Sequence, residues 1–431
     1  MNQSPAPLRL GIAGLGTVGT GVIRMIQTHG DLIAARAGRT IQIAAISARS
    51  RNKDRGVDLS GYAWEDDPVA IARRDDVDLV IEVMGGEDGP AKACVETALA
   101  HGKHVITANK AMLAHHGQAQ AELAEAHGVA LRFEAAVAGG IPCVKALTEG
   151  LAGNAITRVM GVMNGTCNYI LTEMEKTGAD YADVLADAQK LGYAEADPSF
   201  DVGGIDAAHK LALLAATAFG TRVDFDGVVT EGIDKVTLTD IHDAADMGYA
   251  IKLLGVARMN ADGMECRMQP CLVPQSSPLG QLGGVTNMVV IEGDFVGRTV
   301  YAGPGAGEGP TASAILGDVV DIARGLIIPA FGIPAQHLRP AIRSEGGAAA
   351  PYYLRLTLAD RPGTMAEISA ILGRHAVSIN RMRQYDHADE AAPVIIVTHA
   401  CDRGALDTAL DEMHGSDVTL SAPVALRIEE L

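Results

Sequence analysis

LRLGIAGLGTVG, residues 8–19, is an apolar strand pattern that runs into the spacing G-x-G-x-x-G and is followed by a helical pattern. Gly14 permits the tight turn, Gly16 lets the backbone approach a pyrophosphate, and Gly19 lets the helix pack closely on the strand. Phosphates then bind at the positive N-terminus of the helix. The stretch predicts a dinucleotide-binding loop made of Gly14, Leu15, Gly16, Thr17, Val18 and Gly19.

The first 150 residues continue this alternation of strands and helices. Near-continuous apolar segments, separated by helical patterns, lie at 41–46, 79–84, 104–107 and 129–134. Because such alternation is typical of a parallel sheet covered on both faces, we expect an α/β protein. Its N-terminal Rossmann-type domain spans 1–150, and residues 303–342, a glycine-rich loop and a helix, return to it.

The rest of the chain predicts two further domains. Long helical patterns lie at 182–191, 205–219 and 244–258. With strand-like segments between or after them, they indicate a central α+β domain over 151–302 for substrate binding and dimerisation. A linker composition at 343–351 precedes the order strand, helix, strand, strand, helix, strand. This order predicts a separate ferredoxin-like βαββαβ domain over 350–431.

Composition excludes several classes of function. The formal net charge of −18 argues against a nucleic-acid binder, and aromatic residues, at 4%, are too few for base-stacking platforms. The six cysteines show no paired C-x-x-C spacing, the N-terminus lacks a signal-peptide pattern, and no apolar run is long enough to span a bilayer. We therefore expect a cytoplasmic protein with reduced thiols and a small-molecule substrate, and without nucleic-acid or membrane partners.

The end of the second strand indicates which nicotinamide cofactor the loop binds. An NAD site usually carries an acid there for the ribose hydroxyls, but residues 46–49 contain none. Basic residues follow instead, at Arg49, Arg51, Lys53 and Arg55. Guanidinium and ammonium groups suit a 2′-phosphate, so the pattern favours NADP, with Arg49 and Lys53 as ligands. A solvated basic loop, and use of NAD, stay open.

Two motifs follow later strands of the same sheet. Residues 82–86 and 107–110 come just after the carboxyl ends of predicted strands, where ligands bind in open parallel sheets. Thr107 and Lys110 are therefore candidates to face cofactor or substrate. The alternative for Lys110 is a surface lysine at the start of a helix.

The most acidic stretch, residues 191–206, leads into an apolar helix. Asp206 and Lys210 are four residues apart and share one face of that helix. They form either an ordinary ion pair or part of a pocket in which acids, with Glu195, hold an amino group beside a proton-donating lysine. His209 lies off that face and is expected to be structural. Cys167 is more typical of a buried thiol than of a nucleophile.

Several longer motifs occur in a specific order along essentially the whole chain. They read GLGTVG, EVMGG, TANKAML, FEAAVAGGIP, GVMNGTCNYIL, LGYAEADPSFDVGGIDAAHK and GPGAGEGPTAS. In this order they resemble the homoserine dehydrogenase family, in its form with a C-terminal ACT domain. The ACT resemblance rests on residues 354–356, 360–363 and 377–379.

The resemblance implies an NAD(P)-dependent enzyme that interconverts L-homoserine and L-aspartate 4-semialdehyde in threonine, methionine and isoleucine biosynthesis. By resemblance Lys210 donates and accepts the proton, and the substrate is bound by Glu195, Asp206 and Asp201. By the same resemblance Lys110 lies at the cofactor and the substrate, and Gly307 contacts the nucleotide. A sodium ion is held, mostly through backbone carbonyls, by Glu134, Val137, Gly139 and Ile141.

The family also suggests regulation and assembly. L-threonine is the expected effector of the ACT domain, and a homodimer or homotetramer is expected. Cys167 stands where the family more often has Thr or Ser. Two other functions stay open at this point. One is a phosphorylating semialdehyde dehydrogenase that uses Cys167 as nucleophile, and the other is a non-catalytic sensor of nucleotide and amino acid.

Overall fold

The computed structural model describes residues 5–344, 346–385 and 391–430. The chain divides into two compact units. Unit 1 contains Met1–Met163, Asp206–Val228 and Thr286–Ala341, and unit 2 contains Asn164–Ile205, Val229–Val285 and Ile342–Leu431. No helix in the described residues is long and apolar enough to cross a membrane. The predicted domain boundaries stay predictions, and Glu345 of the predicted linker lies outside the described residues.

The elements are numbered in chain order. The strands are β1 (Leu8–Ala13), β2 (Ile41–Ser47), β3 (Ala63–Glu65), β4 (Leu79–Glu82), β5 (His104–Thr107), β6 (Leu131–Arg132), β7 (Ile156–Val162), β8 (Val229–Thr230), β9 (Tyr249–Met259), β10 (Met264–Pro274), β11 (Thr286–Gly293), β12 (Gly297–Pro304), β13 (Tyr352–Ala359), β14 (Ile379–Gln384), β15 (Ala391–Thr398) and β16 (Val424–Ile428). The helices are α1 (Thr17–Ala37), α2 (Pro68–Arg73), α3 (Pro90–Ala100), α4 (Lys110–Ala126), α5 (Cys143–Lys145), α6 (Gly165–Thr177), α7 (Tyr181–Lys190), α8 (Ser199–Val202), α9 (Ile205–Phe219), α10 (Leu238–Asp246), α11 (Glu308–Ala323), α12 (Thr364–Arg374) and α13 (Arg403–His414). Single turns of 3-10 helix lie at Glu134–Ala136 and Ala335–His337, and a π-helical turn lies at Ala146–Gly150.

Unit 1 contains a parallel sheet, which confirms the predicted α/β class. Its strand order is β3-β2-β1-β4-β5-β6, and each neighbouring pair is parallel. Ile12 pairs with Ile46 on one side and Ile81 on the other, and all three are buried in one core with residues of α1 and α11. Because β1 has β2 and β4 as its two neighbours, the strand order reverses there. Ligands of such sheets bind beside this point, at the carboxyl ends of the strands.

Helix α11 packs against α1, although the two are far apart in sequence. Gly21 of α1 makes the approach possible, since a Cβ there would lie 2.6 Å from Cγ of Glu308. The Arg24 guanidinium also lies 3.0 Å from the Glu308 carboxylate. The contact brings the glycine-rich turn before α11 into the nucleotide-binding unit. Unit 1 also holds an antiparallel set, β12-β11-β7.

Unit 2 has a mixed sheet in the order β9-β10-β16-β13-β15-β14. The predicted helix over 244–258 is wrong, because α10 ends at Asp246 and residues 249–259 form β9. This strand pairs with β10 over eleven residue pairs and is buried on both faces in its central part. Burial on both faces removes the period-2 polarity that marks a strand in sequence, and the residues Ala, Leu and Lys favour helix when judged locally.

The tail has the predicted βαββαβ order, from β13 to β16, but it does not stand apart from the rest of unit 2. Strand β16 pairs in parallel with β10, and the backbone N–H of Glu429 donates to the carbonyl of Leu272 at 2.8 Å. Arg267 of β10 forms an ion pair with Glu429, and both are buried. The tail thus shares a sheet with β10, and its bounds as a domain stay a prediction. Strand β16 pairs with this edge of β10 at Cys271 and Leu272, and β8 pairs with it at Arg267 and Met268.

Candidate active site

The glycine turn after β1 has the geometry of a phosphate-binding loop. Gly14 has φ +109°, and a Cβ there would lie 2.6 Å from the carbonyl oxygen of Val83. A Cβ at Gly19 would lie 2.0 Å from the carbonyl oxygen of Gly14. At Gly16, by contrast, a Cβ would meet no atom of the described residues within 4 Å, and none of their side chains caps the N-terminus of α1. The first N–H groups of α1 therefore face a space that a pyrophosphate fits.

The other predicted residues of this turn differ in how far their side chains are buried. Leu15 is 5% exposed, Val18 packs against the core, and Thr17 is exposed at the first turn of α1. Gly307 has φ +115° and is the residue before α11, which likewise has no side-chain cap. The turn before it is held from one side by Gly139, where a Cβ would lie 2.5 Å from the carbonyl oxygen of Gly305.

The basic residues after β2 lie on a loop whose far end leads into β3. Arg49 and Lys53 are exposed, and within the described part of the chain neither side chain forms an ion pair. Arg55 is half-buried and hydrogen-bonds to backbone carbonyls, including that of Leu15 in the glycine turn at 3.0 Å. The loop therefore presents two exposed cations without an ion pair among the described residues, and the Arg55 side chain joins the loop to the glycine turn.

A buried carboxylate joins the ends of β4 and β5. Glu82 is fully buried, and its Oε1 accepts hydrogen bonds from the N–H of Met84 at 2.7 Å and of Gly85 at 3.3 Å. The hydroxyl of Thr107 donates to its Oε2 at 2.6 Å. Burial, only partly offset by these donors, raises the pKa of Glu82. The loops after both strands are thus fixed by one side chain.

The same network orients Lys110. The backbone N–H of Asn109 donates to the Thr107 hydroxyl at 2.9 Å. The Asn109 side chain caps the N-terminus of α4 by accepting a hydrogen bond from the N–H of Met112. The Asn109 amide also donates to the carbonyl of Gly86 at 2.6 Å. Lys110 is the next residue and starts α4. Sequence reasoning missed the roles of Glu82 and Asn109, for which the only signal is a polar residue directly after a buried strand.

Asp206 lies between two lysine ammonium groups. Its Oδ2 is 2.6 Å from Nζ of Lys210, and its Oδ1 is 3.1 Å from Nζ of Lys110. Lys210 also donates to the carbonyl oxygen of Met163 at 2.8 Å. Burial opposes the charge on Asp206, but the two lysines, Lys210 first, outweigh it and hold its pKa well below the usual range. The structure therefore brings together three of the predicted residues, Lys110, Asp206 and Lys210.

His209 and Cys167, the two residues that the sequence predicts to be structural, are both buried. His209 is 3% exposed and its ring stacks on Phe225, with centroids 4.1 Å apart, as expected for a structural residue. Burial, then the nearby His115 and Lys110, lowers the pKa of His209 to about 4. In unit 2 the Cys167 thiol is buried and donates to the carbonyl of Asp201 at 3.2 Å. That burial is the inert environment expected for a structural thiol.

Glu195 and Asp201 belong to unit 2. Glu195 is exposed in the loop between α7 and α8, and its carbonyl accepts from the Gln189 amide at 3.0 Å. The Asp201 carboxylate on α8 accepts from the Asn164 amide at 2.8 Å. Their roles in substrate binding stay predictions.

The predicted sodium residues lie in one segment after β6. Both carboxylate oxygens of Glu134 accept backbone N–H groups, from Val144 at 3.1 Å and from Lys145 at 2.7 Å. Burial, together with Asp318, raises the pKa of Glu134 to about 7. The described residues contain no cluster of three or more His, Cys, Asp or Glu suited to a metal. A cation here would depend on backbone carbonyls, such as those of Val137, Gly139 and Ile141.

Comparisons with known proteins agree over the whole chain. Residues 14–134 match the family model described as homoserine dehydrogenase, NAD binding domain, residues 142–320 match homoserine dehydrogenase, and residues 352–415 match the ACT domain. A homoserine dehydrogenase of Neisseria gonorrhoeae is 42% identical over 434 residues, covering 99% of each chain.

Two solved structures extend the comparison to the fold. A homoserine dehydrogenase from Thiobacillus denitrificans is 40% identical, with a TM-score of 0.93 over 98% of each chain. A homoserine dehydrogenase from S. aureus is 32% identical, with a TM-score of 0.77 over 98% of this chain and 99% of the other.

Proposed function

The chain belongs to the homoserine dehydrogenase family, with the NAD-binding domain and ACT domain of that family, and from that premise we propose how it works. It is an oxidoreductase that acts on a CH–OH group. We propose that it interconverts L-homoserine and L-aspartate 4-semialdehyde, uses NADP in preference to NAD, and thereby serves threonine, methionine and isoleucine biosynthesis. The bound nicotinamide supplies the hydride or takes it up.

Lys210 is the proposed proton carrier. Of the three N–H groups of its ammonium, two have partners in the structure, the Asp206 carboxylate and the Met163 carbonyl. The third forms no hydrogen bond to the residues that the structure describes, and we assign it to the substrate oxygen. In the reducing direction Lys210 gives a proton to the aldehyde oxygen as hydride arrives at the carbon, and in the oxidising direction it accepts the hydroxyl proton.

The buried Lys210–Asp206 pair, with Lys110 on the other carboxylate oxygen, is the single observation that carries this proposal. It supports a polar pocket rather than a surface ion pair, because Asp206 and Lys210 are each 8% exposed. The test is the change in absorbance at 340 nm when homoserine is added with NADP or with NAD. Turnover of homoserine supports the proposal, and its absence in both assays contradicts it.

Substrate specificity is assigned to the acids. Asp206 lies in the pocket with both lysines, and Glu195 and Asp201 are proposed to bind the substrate by family resemblance. An ammonium group and a carboxylate attract strongly where water is excluded, so one acid that holds the substrate ammonium contributes to both orientation and affinity.

A sodium site is proposed at 134–141. Carbonyl oxygens are hard donors that suit an alkali cation, and the backbone of this segment takes positive φ at Ala138 and Gly139. Val137, Gly139 and Ile141 would hold the ion by their carbonyls, and Glu134 would balance its charge. The ion would stabilise the turn that contacts the glycine-rich segment at Gly305.

Regulation by L-threonine is proposed for the ACT domain. A cavity of about 590 Å³ lies between the β13–α12 turn and strands β14 and β15, lined by Asp360, Gly363, Met365, Gln384 and Val394 among others. Its size and mixed lining suit an amino acid. Threonine inhibits only if it binds a less active conformation more tightly than the active one.

A homodimer or homotetramer is proposed as the assembly.

A further inference from the structure

Arg55 is a cation of the loop after β2 that the cofactor assignment does not use. All three of its guanidinium nitrogens donate to backbone carbonyls: Nε to Leu15 at 3.0 Å, and the two terminal nitrogens to Lys53 at 2.8 Å and to Ser50 at 2.6 Å. Three of the five guanidinium N–H groups of Arg55, including Nε–H, are thus engaged by the backbone of the loop and the glycine turn. We propose that Arg55 is the positioning residue that holds the phosphate-binding cations in place and so sets the preference for NADP.

The loop consists of two halves with different anchors. In the second half, Val57, Leu59 and Tyr62 pack against the core, and the Gln27 amide donates to the carbonyl of Asp58 at 2.7 Å. The first half, residues 49–53, is exposed. The side-chain hydrogen bonds that this half receives on its backbone in the described structure come from Arg55. One side chain thus ties the segment with Arg49 and Lys53 to the glycine turn.

Trp64 on β3 completes the arrangement. The guanidinium carbons of Arg51 and Arg55 each lie 5.8 Å from the centre of its ring, within the range of a cation–π contact. The indole N–H donates to Asp66 at 2.9 Å, which fixes the orientation of the ring. The Trp64 ring therefore contacts two arginines of the loop, the exposed Arg51 and the hydrogen-bonded Arg55.

The acids near the loop do not neutralise its cations. Asp54 accepts from the N–H of Gly56 at 2.9 Å, and Asp66 accepts from Trp64. Arg49 and Lys53 form no ion pair in the described structure, so a dianionic 2′-phosphate is the group that their charges suit. NAD lacks this phosphate, so its affinity does not depend on where the loop places Arg49 and Lys53.

These contacts predict a selective effect on affinity, and the prediction rests on the proposed use of NADP. When Arg55 is lost, residues 49–53 must be ordered during binding, which weakens NADP by about 10-fold. The glycine turn keeps its own hydrogen bond, from the N–H of Gly14 to the carbonyl of Ser47 at 2.9 Å. NAD affinity therefore changes by less than about 2-fold.

The test is calorimetric titration of the full chain with NADP and with NAD, for wild type, Arg55→Met and Arg39→Met. Arg39 is the control, because it is also half-buried and donates to a backbone carbonyl, that of Pro7 at 3.1 Å. We expect Arg55→Met to lose NADP affinity alone and Arg39→Met to lose neither. Equal losses for both cofactors, or no loss, would overturn the role of Arg55. Equal affinity of the wild type for both cofactors would instead contradict the proposed use of NADP.

A second measurement covers the case in which Arg55→Met does not fold. Trp64 is the only tryptophan of the chain, so its fluorescence reports on this loop alone. In wild type, adenosine 2′,5′-bisphosphate should change Trp64 emission with saturation, whereas adenosine 5′-monophosphate should not. If the two nucleotides have the same effect, or neither has one, the assignment of Trp64 and its arginines to the phosphate site is overturned.

Discussion

The carboxylate of Asp206 lies 2.6 Å from Nζ of Lys210, one turn further along α9, and both side chains are buried. The spacing of four residues alone is compatible with an ordinary surface pair. Burial, the contact of Lys110 with the other carboxylate oxygen and the hydrogen bond from Lys210 to the Met163 carbonyl distinguish it from such a pair and support the proposed site. The two ammonium groups of Lys110 and Lys210 face the single carboxylate of Asp206. The pocket therefore retains a positive charge, which suits an anionic or polar substrate oxygen.

Asp206→Asn should remove the charge that balances these lysines. A buried ion that loses its partner costs about 3–5 kcal/mol, and the two ammonium groups will then repel each other. We expect kcat/KM for homoserine to fall by about 100-fold or more. Asp187→Asn is the control, since Asp187 pairs with Lys190 three residues away on the exposed face of α7. Steady-state kinetics and thermal melts of both variants test this, and equal activity of the two would contradict the role of Asp206.

Arg49→Asp should weaken NADP more than NAD. The exposed Arg49 guanidinium, which forms no ion pair with the described residues, becomes a carboxylate that repels a 2′-phosphate. We expect the Kd for NADP to rise by about 10- to 100-fold, with little change for NAD. Dissociation constants from fluorescence or calorimetry decide the outcome. If both cofactors lose affinity equally, Arg49 does not bind the phosphate.

His209 should make stability fall in acid. Its pKa is about 4 in the folded protein, below the ordinary value of 6.5, so the unfolded chain binds more protons between these values. The contribution is present above pH 6.5 and is lost as the pH falls through 6.5 towards 4. It amounts to on the order of 1–2 kcal/mol. His209→Phe keeps the stacking on Phe225, so its melting temperature should fall less than that of wild type over this range. Parallel melting curves of the two proteins would contradict this.

Met365→Trp should fill part of the ACT cavity. Met365 lines the cavity in unit 2, whereas the lysine pocket belongs to unit 1, and we expect the basal kcat to stay within about 2-fold. Inhibition by L-threonine should be lost, because the effector no longer fits. Titration of both proteins with threonine at fixed homoserine measures this. An unchanged inhibition curve would mean that threonine acts elsewhere.

The parts of the fold that sequence predicted are those with a local signal. The G-x-G-x-x-G turn and the apolar strands β1, β2, β4 and β5 each depend on residues that are close in the chain. The local pattern of β9 predicts a helix, whereas its strand structure depends on pairing with β10 and on burial of both faces. The attachment of the tail to β10 likewise depends on Arg267 and Glu429, which are 162 residues apart.

The sequence predicts which residue types form the candidate site. It does not predict the contacts that support those residues. Lys110, Asp206 and Lys210 come together as three named residues. The carbonyls of Met163 and Leu15, by contrast, carry no side-chain signal in a sequence. Glu82 acts on a hydroxyl 25 residues away, a distance that periodicity cannot show.

The most direct test of the central claim is the kcat of Lys210→Ala with homoserine and NADP. The amine that carries the proton is then absent, so kcat should fall by about 100-fold or more while the Kd for NADP changes little. Lys190→Ala, which removes an exposed lysine paired with Asp187 at 2.8 Å, is the matched control and should keep wild-type turnover. A Lys210→Ala enzyme with kcat close to that of the control would contradict the proton-transfer role, and with it the account of this site.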